Sequence, residues 1–193
     1  MVRLGITGGI GSGKSYVCRM LEQEFDVPVY NCDINARIIT YTDYEVMQQL
    51  TVLLPGLYDK DGELDKSMLA HYLFASEENA AKVNAIVHPA VKRDFRKWVE
   101  LRSDRKLLVV ESAILYESHF DTEVDRVLFV DAPLEVRIQR VQERDGLSEE
   151  EIRRRIALQQ TEQARGLADF CLVNDGQTDI RSQLNEILKS LNH

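Results

Sequence analysis

The chain has 193 residues, which suits one sizeable domain with insertions, and its 44% hydrophobic and 29% charged residues are typical of a globular protein rather than a disordered or fibrous one. Its 24 basic and 32 acidic residues give a net charge of −8, which argues against sequence-independent binding to DNA or RNA. This charge still permits a local basic pocket for a small phosphorylated ligand.

Cys18, Cys32 and Cys171 lie far apart in the sequence, without the spacing of a disulfide framework or a metal site. We expect them to be free, buried thiols. No apolar run approaches the ~18 residues that a membrane span needs. The N-terminal residues lead directly into a predicted strand rather than a signal peptide. These features predict a cytoplasmic protein that binds neither membrane nor nucleic acid.

The first elements are a short strand, VRLGIT, a glycine-rich segment, GGIGSGKS, and an amphipathic helix that extends to about Phe25. The run VPVY predicts the next strand, and Pro28 indicates that this strand lies near an edge of the sheet. A helical pattern begins near Asp33, directly after the strand. Asp33 is therefore either a helix cap or a reactive group at the tip of a strand that faces a cleft.

Residues 41–102 are almost entirely helical in pattern and are predicted to form an insertion between the second and third strands. TDYE has the form of a capping box, and Asp65 or Ser67 is predicted to cap the helix that follows the turn PGLYDKDGELD. A long helical segment is expected to break at His88 and Pro89, because proline lacks a backbone donor and disfavours helical angles in the residue before it.

Two continuous apolar runs, KLLVVE and DRVLFVD, are typical of parallel strands that are buried on both faces. Helical patterns follow, including one that starts with a capping box at Ser148 and Glu151 and continues to Ala168. A last strand, FCLV, precedes a terminal amphipathic helix. This alternation predicts an α/β fold with a mostly parallel, five-stranded sheet flanked by helices.

The segment GGIGSGKS fits the spacing G-x-x-x-x-G-K-[ST] through Gly8, Gly13, Lys14 and Ser15, between a predicted strand and a predicted helix. The glycines let consecutive N–H groups face phosphate oxygens, and the N-terminus of the helix favours negative charge. Lys14 would reach the β- and γ-phosphates of a nucleotide, and the Ser15 hydroxyl would bind Mg²⁺. The motif predicts binding of a nucleoside triphosphate and leaves open what the nucleotide is used for.

Two classes of protein use such a loop: kinases for small acceptors, and nucleotide switches that signal to a protein partner. A guanine-specific switch is expected to carry an Asn-Lys-x-Asp base reader, and the sequence has none. The tetrapeptide DKDG matches a loose D-x-x-G pattern, but it lies among turn residues and is predicted to be a β-turn. The kinase is therefore favoured.

An arginine-rich segment, RIQRVQERDGLSEEEIRRR, supplies the positive charge that a kinase lid needs. Phosphoryl transfer spreads negative charge over the equatorial oxygens, and arginines on a closing lid would stabilise this charge and exclude water. Glutamate–arginine pairs at helical spacing explain some of these residues as a solvated helix face. Arg140 is favoured for a role in transfer because of its position in the helix after the fourth strand.

Over essentially its whole length the sequence resembles the dephospho-coenzyme A kinase family, through GITGGIGSGKS, CDINA, DGELDK, NAIVHPAV, ILYE, RVQERDGLS and ADFCLVNDG, in that order. The resemblance implies transfer of the ATP γ-phosphoryl group, with Mg²⁺, to the ribose 3′-hydroxyl of dephospho-CoA. It also implies a P-loop kinase core at residues 1–40 and 103–193, an acceptor-binding helical insertion at residues 41–102 and a lid at residues 137–165. The alternatives are a kinase for a nucleoside monophosphate or sugar and, more distantly, a nucleotide switch.

The resemblance also implies roles for particular residues. Lys14, Asp33 and Arg140 are the implied catalytic residues, with Asp33 as the base that accepts the hydroxyl proton. The residues implied in ATP binding form the phosphate loop, one lid position and a late Asn-x-Gly motif: Gly11, Ser12, Gly13, Lys14, Ser15, Tyr16, Arg144, Asn174 and Gly176. Gln159, Arg165 and Asp169 fall in a family motif after the lid, and their roles stay open.

Asp33, Lys66 and His88 are assigned to acceptor binding. The Asp-Ala-Asp that is usual in the family is Asn31-Cys32-Asp33 in this chain, so only Asp33 can supply the base from this turn. Lys66 stands where the family has arginine, which keeps the charge but loses the two-pronged geometry. His88 is either a structural hydrogen-bonding residue at a helix break or part of the acceptor site.

Glu111 ends the third predicted strand and has two interpretations. In the first, it holds Mg²⁺ through water, next to Ser15. In the second, it is a buried acid that is hydrogen-bonded to the backbone. The sequence does not distinguish between them.

Overall fold

The computed structural model describes residues 1–159 and 161–191, in which strands and helices alternate. The strands are β1 (Val2–Thr7), β2 (Val29–Asn31), β3 (Leu107–Glu111), β4 (Arg126–Asp131) and β5 (Phe170–Val173). Each of them corresponds to a strand predicted from an apolar run, so the α/β prediction is confirmed.

The described residues also form helices: α1 (Lys14–Phe25), α2 (Cys32–Thr42), α3 (Tyr44–Leu53), α4 (Lys66–Ala75), α5 (Glu77–Glu100), α6 (Leu134–Asp145), α7 (Glu149–Ala157), α8 (Thr161–Leu167) and α9 (Ile180–Leu191). None of these helices is both long and apolar enough to cross a membrane. The chain divides into two compact units, one of residues 1–31 and 103–193 and the other of residues 32–102.

The strands form one parallel sheet in the order β2-β3-β1-β4-β5. β2 lies at an edge, as Pro28 predicted. β1 lies between β3 and β4, so the loop after β1 leaves the middle of the carboxyl edge, at the point where the strand order reverses and where ligands bind in such sheets. The register places Ile6 of β1 and Asn31 of β2 level with Glu111 of β3.

The sheet forms the core of the first unit. Leu108 and Val110 of β3 are fully buried on one face of the sheet, and on the face that α1 and α9 cover the fully buried side chains of the central strands are Leu4, Ile6, Val109, Leu128 and Val130. Helices cover them with further apolar residues, namely Val17, Leu21, Leu184 and Ile187. Because both faces are covered, the strands are continuous apolar runs rather than alternating patterns.

The second unit consists of α2, α3, α4 and α5, and α5 packs against the other three. The buried face of α5 carries Val83, Val87, Ala90, Val91 and Phe95, at the three- and four-residue spacing of an amphipathic helix. The sequence-based division places residues 32–40 with the nucleotide-binding core, whereas the structure divides the chain at residue 32. The functional roles of the two units remain proposals.

The predicted helix break at Pro89 is wrong, because α5 continues through it from Glu77 to Glu100. Pro89 is exposed on the outer face, while Val87, Ala90 and Val91 on either side of it are buried. Proline costs the helix one backbone hydrogen bond, and burial of the apolar face on both sides of Pro89 outweighs this local cost.

Two of the three helix caps predicted from the sequence are confirmed. The predicted capping box at Ser148 and Glu151 is present, and Asp65 caps α4 by accepting a hydrogen bond from the Met68 N–H at 2.9 Å. For α3 the capping residue is Asp43 and not Thr42, because the Thr42 hydroxyl donates instead to the carbonyl of the preceding helix.

The turn at residues 59–62 is confirmed. The Gly62 N–H donates to the Asp59 carbonyl at 3.1 Å, and the Asp59 side chain accepts from the Asp61 N–H at 2.9 Å. Gly62 has a φ of 84°, which suits glycine. DKDG therefore forms a connecting turn within the second unit.

Two further expectations need correction. The helix predicted to run from Ser148 to Ala168 is divided into α7 and α8, and Gln159 lies between them. The three cysteines form no disulfide within the described residues, and Cys171 is exposed, whereas the sequence predicted a buried thiol. Cys171 lies on β5, an edge strand that leaves part of its surface uncovered.

Candidate functional site

The glycine-rich loop between β1 and α1 has a backbone that only glycine adopts easily at several of its positions, among them Gly11 and Gly13. Gly11 has a φ of 77° and Gly13 has a φ of 93°, both in the left-handed region. A Cβ at Gly11 would lie 2.5 Å from the Arg137 carbonyl oxygen, and a Cβ at Gly13 would overlap the Asn174 side chain. The loop therefore needs glycine both for its conformation and for its packing.

Lys14, the first residue of α1, folds back over this loop. Its ammonium group donates hydrogen bonds to the Gly8 carbonyl at 2.8 Å and to the Gly9 carbonyl at 3.3 Å. The positive charge is thus held at the N-terminus of α1, where the exposed N–H groups and the helix dipole also favour an anion. These contacts to neutral carbonyls can be exchanged for contacts to phosphate oxygens.

Glu111 lies at the carboxyl end of β3, with 7% of its surface exposed. One of its carboxylate oxygens accepts a hydrogen bond from the Ser15 hydroxyl at 2.6 Å, and the other accepts one from the Asn31 side-chain amide at 2.7 Å. The Asn31 contact follows from the strand register, which places Asn31 level with Glu111, whereas Ser15 comes from the start of α1. Glu111 is therefore joined to the phosphate loop through a side chain.

The Glu111 carboxylate also acts on a buried neighbour, Cys18. Burial raises the pKa of the Cys18 thiol, and the negative charge of Glu111 raises it further. The thiol therefore stays protonated, and the carboxylate and hydroxyl oxygens of Glu111 and Ser15 are the hard donors at this position. Oxygen donors of this kind suit Mg²⁺.

Arg140 and Asn174 meet at the same loop. The Arg140 guanidinium donates to the Asn174 backbone carbonyl and to its side-chain oxygen, each at 3.1 Å. The Asn174 amide in turn donates to the Ser12 carbonyl at 2.8 Å. Helix α6 and the turn after β5 are thereby connected to the loop, which brings together three residues that the sequence assigned to the site.

Two residues without an assigned role also contact the loop, and both do so at Ile10. Arg137 donates through Nε to the Ile10 carbonyl at 2.9 Å, and the Gln159 side-chain oxygen accepts from the Ile10 N–H at 2.8 Å. Burial lowers the pKa of Arg137, and the nearby Asp131 carboxylate partly offsets this effect. Arg137 lies one helical turn before Arg140, and this spacing was the available sequence signal.

Other predicted positions in this unit make local contacts. Arg144 forms a two-pronged ion pair with the adjacent Asp145, at 2.8 Å for each bond, and Tyr16 is 47% exposed. Gly176 lies in an exposed turn with a φ of 84°. The side chains of Tyr16 and Arg144 are on the surface, where a bound nucleotide could reach them.

The family-motif residues after the lid have structural contacts. Arg165 of α8 pairs with Asp131 at the end of β4, with 3.3 Å between nitrogen and oxygen. Asp169 accepts a hydrogen bond from the Val127 N–H at 2.8 Å, next to the start of β5. These contacts tie α8 and β5 to β4.

The predicted acceptor residues lie in the second unit. Asp33 is an exposed carboxylate in the first turn of α2, and Lys66 begins α4 with its ammonium group 5.8 Å from the centre of the Tyr41 ring. His88 is half-buried in α5, where burial and then the charge of Lys92 lower its pKa. A neutral imidazole is therefore the favoured form of His88 near pH 7.

A cavity of about 600 Å³ in this unit has two cations among its lining residues. Its cations are Arg37 and Lys66, and its other walls are mostly apolar or aromatic, with Thr40, Tyr41, Leu64, Leu69, Ala70, Leu73 and Phe74. Phe74 is 88% exposed. Such a cavity suits a ligand that combines negative charge with apolar surface.

Comparison of the sequence with known proteins identifies the same family in each case. The family model for dephospho-CoA kinase (CoaE) matches residues 2–179. A dephospho-CoA kinase of Bacteroides fragilis is 41% identical over 191 residues, which cover 98% of this chain and 93% of that protein. A dephospho-CoA kinase of Porphyromonas gingivalis is 42% identical over 177 residues, covering 90% of this chain and 86% of that one.

Solved structures show the same fold. TT1252 from Thermus thermophilus is 32% identical and superposes with a TM-score of 0.84, covering 98% of this chain and 96% of that one. A dephospho-CoA kinase from Campylobacter jejuni, at 21% identity, has a TM-score of 0.72 over 98% of this chain and 96% of that one. Shikimate kinase from Acinetobacter baumannii, at 14% identity and a TM-score of 0.57 over 99% of this chain and 93% of that one, shares the fold.

Proposed function

Because the chain belongs to the dephospho-CoA kinase family, we propose that Lys14, Asp33 and Arg140 carry out its reaction. The enzyme transfers the γ-phosphoryl group of ATP to the ribose 3′-hydroxyl of dephospho-CoA and releases coenzyme A and ADP. The observation that carries this proposal for the nucleotide side is the convergence of Lys14, Arg140 and Asn174 on one phosphate loop.

On the nucleotide side, Lys14 exchanges its contacts with the loop carbonyls for contacts with the β- and γ-phosphates. Residues 11–16 surround the phosphates with backbone N–H groups, and Tyr16, Arg144, Asn174 and Gly176 complete the ATP site. Arg140 neutralises the charge that develops on the equatorial oxygens in the transition state. Its two contacts with Asn174 hold the guanidinium close to the loop before ATP binds.

We further propose that Ser15 and Glu111 hold Mg²⁺, Ser15 directly and Glu111 through water. The two oxygens are 2.6 Å apart, are hard donors and lie beside the loop, which fits the ion. When bound, the ion neutralises charge on the β- and γ-phosphates. Ser15 and Glu111 fix its position by their place at the ends of two neighbouring elements.

Asp33 orients the 3′-hydroxyl and accepts its proton. As that proton leaves, the hydroxyl oxygen forms its bond to the γ-phosphorus, and the bond from phosphorus to the bridging β–γ oxygen breaks. The carboxylate is exposed in the first turn of α2. Asn31 carries no carboxyl group, so Asp33 is the single acid of this turn.

The acceptor lies on the helical insertion, with Lys66 and His88 among its contacts. Dephospho-CoA combines a pyrophosphate with a long, mostly apolar arm. The cavity lined by Arg37 and Lys66 offers cations together with apolar walls, which matches both parts. Lys66 supplies a point charge for a phosphate, and His88 in neutral form supplies a hydrogen bond.

We also propose that the enzyme works in the cytoplasm. Its three cysteines form no disulfide within the described residues, and Cys171 is exposed. Thiols remain in this state in a reducing compartment.

One assay tests the choice of acceptor. ADP release from ATP and Mg²⁺ is measured with dephospho-CoA, with a nucleoside monophosphate, with a sugar and with no acceptor, and a Lys14→Ala variant controls for contaminating activity. We expect stimulation by dephospho-CoA alone. Stimulation only by another acceptor would overturn the substrate assignment, and slow ADP release that ignores every acceptor would indicate a nucleotide switch.

A second assay tests the base. Asp33→Asn keeps the size of the side chain and removes its ability to accept a proton, so turnover should fall by roughly 10²–10⁴-fold. ATP affinity, measured by calorimetry, should not change. Near-normal turnover would contradict the assignment of Asp33 as the base.

A further inference from the structure

The N–H, the carbonyl and the side chain of Ile10 all contact residues of the chain that follow β4. Its N–H donates to the Gln159 side chain at 2.8 Å, and its carbonyl accepts from Arg137 Nε at 2.9 Å. Its side chain packs against a separate apolar cluster formed by Ile138, Val141 and Ile152 of α6 and α7. These contacts are independent of one another and converge on one residue in the middle of the loop.

Arg137 fits tightly under the loop. It is 9% exposed, and its Nη2 atom is buried without a hydrogen-bond partner in the described part of the chain. A Cβ at Gly9 would overlap this guanidinium group, and a Cβ at Gly11 would lie 2.5 Å from the Arg137 carbonyl oxygen. The glycines on both sides of Ile10 thus allow the loop to lie directly on α6.

A loop rich in glycine has many conformations available, and ordering it on binding a ligand costs conformational entropy. Contacts that order the loop beforehand lower this cost and so increase affinity. Ile10 precedes the residues that surround the phosphates, so contacts at Ile10 leave the phosphate-binding N–H groups unobstructed. The division of the predicted long helix into α7 and α8 places Gln159 at the point where it can reach the loop.

We propose that Gln159 and Arg137 are positioning residues for ATP: they hold the phosphate loop in its binding conformation through the two backbone groups of Ile10. This inference rests on the proposed use of the loop for ATP. The two residues act through Ile10 and not through contact with the substrate, and they make ATP affinity depend on the placement of α6 and of the segment between α7 and α8.

The main variant is Gln159→Met, which keeps the size of the side chain and removes the acceptor for the Ile10 N–H. The loss of one hydrogen bond that orders the loop should raise the Kd of ATP about five- to tenfold, with a smaller change in kcat. Amide hydrogen exchange of peptides covering residues 8–13, without nucleotide, should become faster. Arg137→Met should have the same effects, and Arg137→Lys, which keeps a donor and the charge, should have weaker ones.

Two controls separate positioning from general stability. Gln159→Glu keeps an acceptor, so exchange in its loop should stay near that of the unchanged chain. Arg181→Gln removes an exposed ion pair between α9 and Glu24, near the end of α1 that is remote from the loop, and it should alter neither loop exchange nor ATP affinity.

Unchanged loop exchange and unchanged ATP affinity in Gln159→Met would overturn the proposal. Faster exchange throughout the first unit, rather than in the loop, would also overturn it, because this would indicate a purely structural role. The binding measurements use ATP without an acceptor, so they do not depend on dephospho-CoA. Failure of the unchanged chain to bind ATP would instead contradict the proposed function.

Discussion

Glu111 has both carboxylate oxygens hydrogen-bonded to neutral side chains, the hydroxyl of Ser15 and the amide of Asn31. A buried carboxylate needs such donors, because an unpaired charge in this position would be strongly destabilising. The two donors come from the start of α1 and the end of β2, so Glu111 joins two elements at the carboxyl edge of the sheet. Asparagine at position 31 suits this arrangement because its amide can donate.

The substitution Asn31→Asp tests this arrangement. It would place a second carboxylate against Glu111, and the repulsion between like charges together with the lost donor should lower the free energy of unfolding by about 1–3 kcal/mol. The measurement is urea unfolding in EDTA and again in Mg²⁺, because a bound cation between the two acids should restore part of the loss.

Asn31→Ala is the matched control for this substitution, since it removes the amide without adding charge. Its smaller loss of stability should be the same with and without Mg²⁺. An Asn31→Asp protein that is as stable in EDTA as the unchanged chain would show that Glu111 does not depend on the Asn31 amide.

At the scale of elements, tertiary packing in α5 outweighs the local tendency of proline to break a helix. Pro89 lacks the N–H that would bond to the Ala85 carbonyl, yet the helix continues for eleven residues beyond it, to Glu100. The apolar face of α5 is buried along most of its length by α2, α3 and α4. The helix is therefore continuous because its neighbours hold it, while Pro89 remains a local cost.

Replacing Pro89 by alanine should therefore stabilise the protein. Alanine restores the missing hydrogen bond and removes the ring clash, which together are worth up to about 3 kcal/mol in a helix interior, and the greater freedom of the unfolded chain opposes this by roughly 0.4–1 kcal/mol. Pro133→Ala is the control, because Pro133 is the residue before α6 and costs that helix no hydrogen bond. Thermal unfolding measures both, and a Pro89→Ala protein with no gain would contradict the proposed cost.

The contrast between local preferences and tertiary packing also explains how much of the fold and of the site can be predicted from the sequence. Strands such as Leu107–Glu111 are predictable, because burial on both faces leaves a continuous apolar run. The phosphate loop is predictable, because its glycines and Lys14 are required by local geometry. Gln159 and Arg137 are not predictable as partners of Ile10, because they are far from it in the sequence. Arg137 is separated from Ile10 by 127 positions and Gln159 by 149 positions, and only the folded structure brings them into contact.

Helix caps can be predicted from the sequence only in part. The box at Ser148 and Glu151 needs only residues of one turn and is predicted correctly. At the start of α3, two adjacent residues, Thr42 and Asp43, can both cap, and the choice is made by the end of α2, where the Thr42 hydroxyl donates to the Ile38 carbonyl. Local patterns therefore identify that a cap exists more reliably than they identify the residue.

At the scale of the whole molecule, the proposed nucleotide-binding and acceptor-binding residues fall mainly in different compact units. The phosphate loop, Arg140 and Asn174 all belong to the unit of residues 1–31 and 103–193. Arg37, Lys66 and the cavity that they line belong to the unit of residues 32–102, which is inserted between β2 and β3. The proposed nucleotide and acceptor contacts can therefore be tested separately.

Amide hydrogen exchange with each ligand alone provides this test. ADP with Mg²⁺ should slow exchange in peptides covering residues 8–16 and 137–144, because the ligand replaces solvent at the loop and near Arg140. Dephospho-CoA alone should slow exchange in peptides covering residues 64–74, which include Lys66 and one wall of the cavity. Lys66→Ala should abolish the second effect and leave the first unchanged, since the two residue sets lie in different units. Protection of residues 8–16 by dephospho-CoA, without protection of residues 64–74, would contradict the assignment of the acceptor to the helical unit.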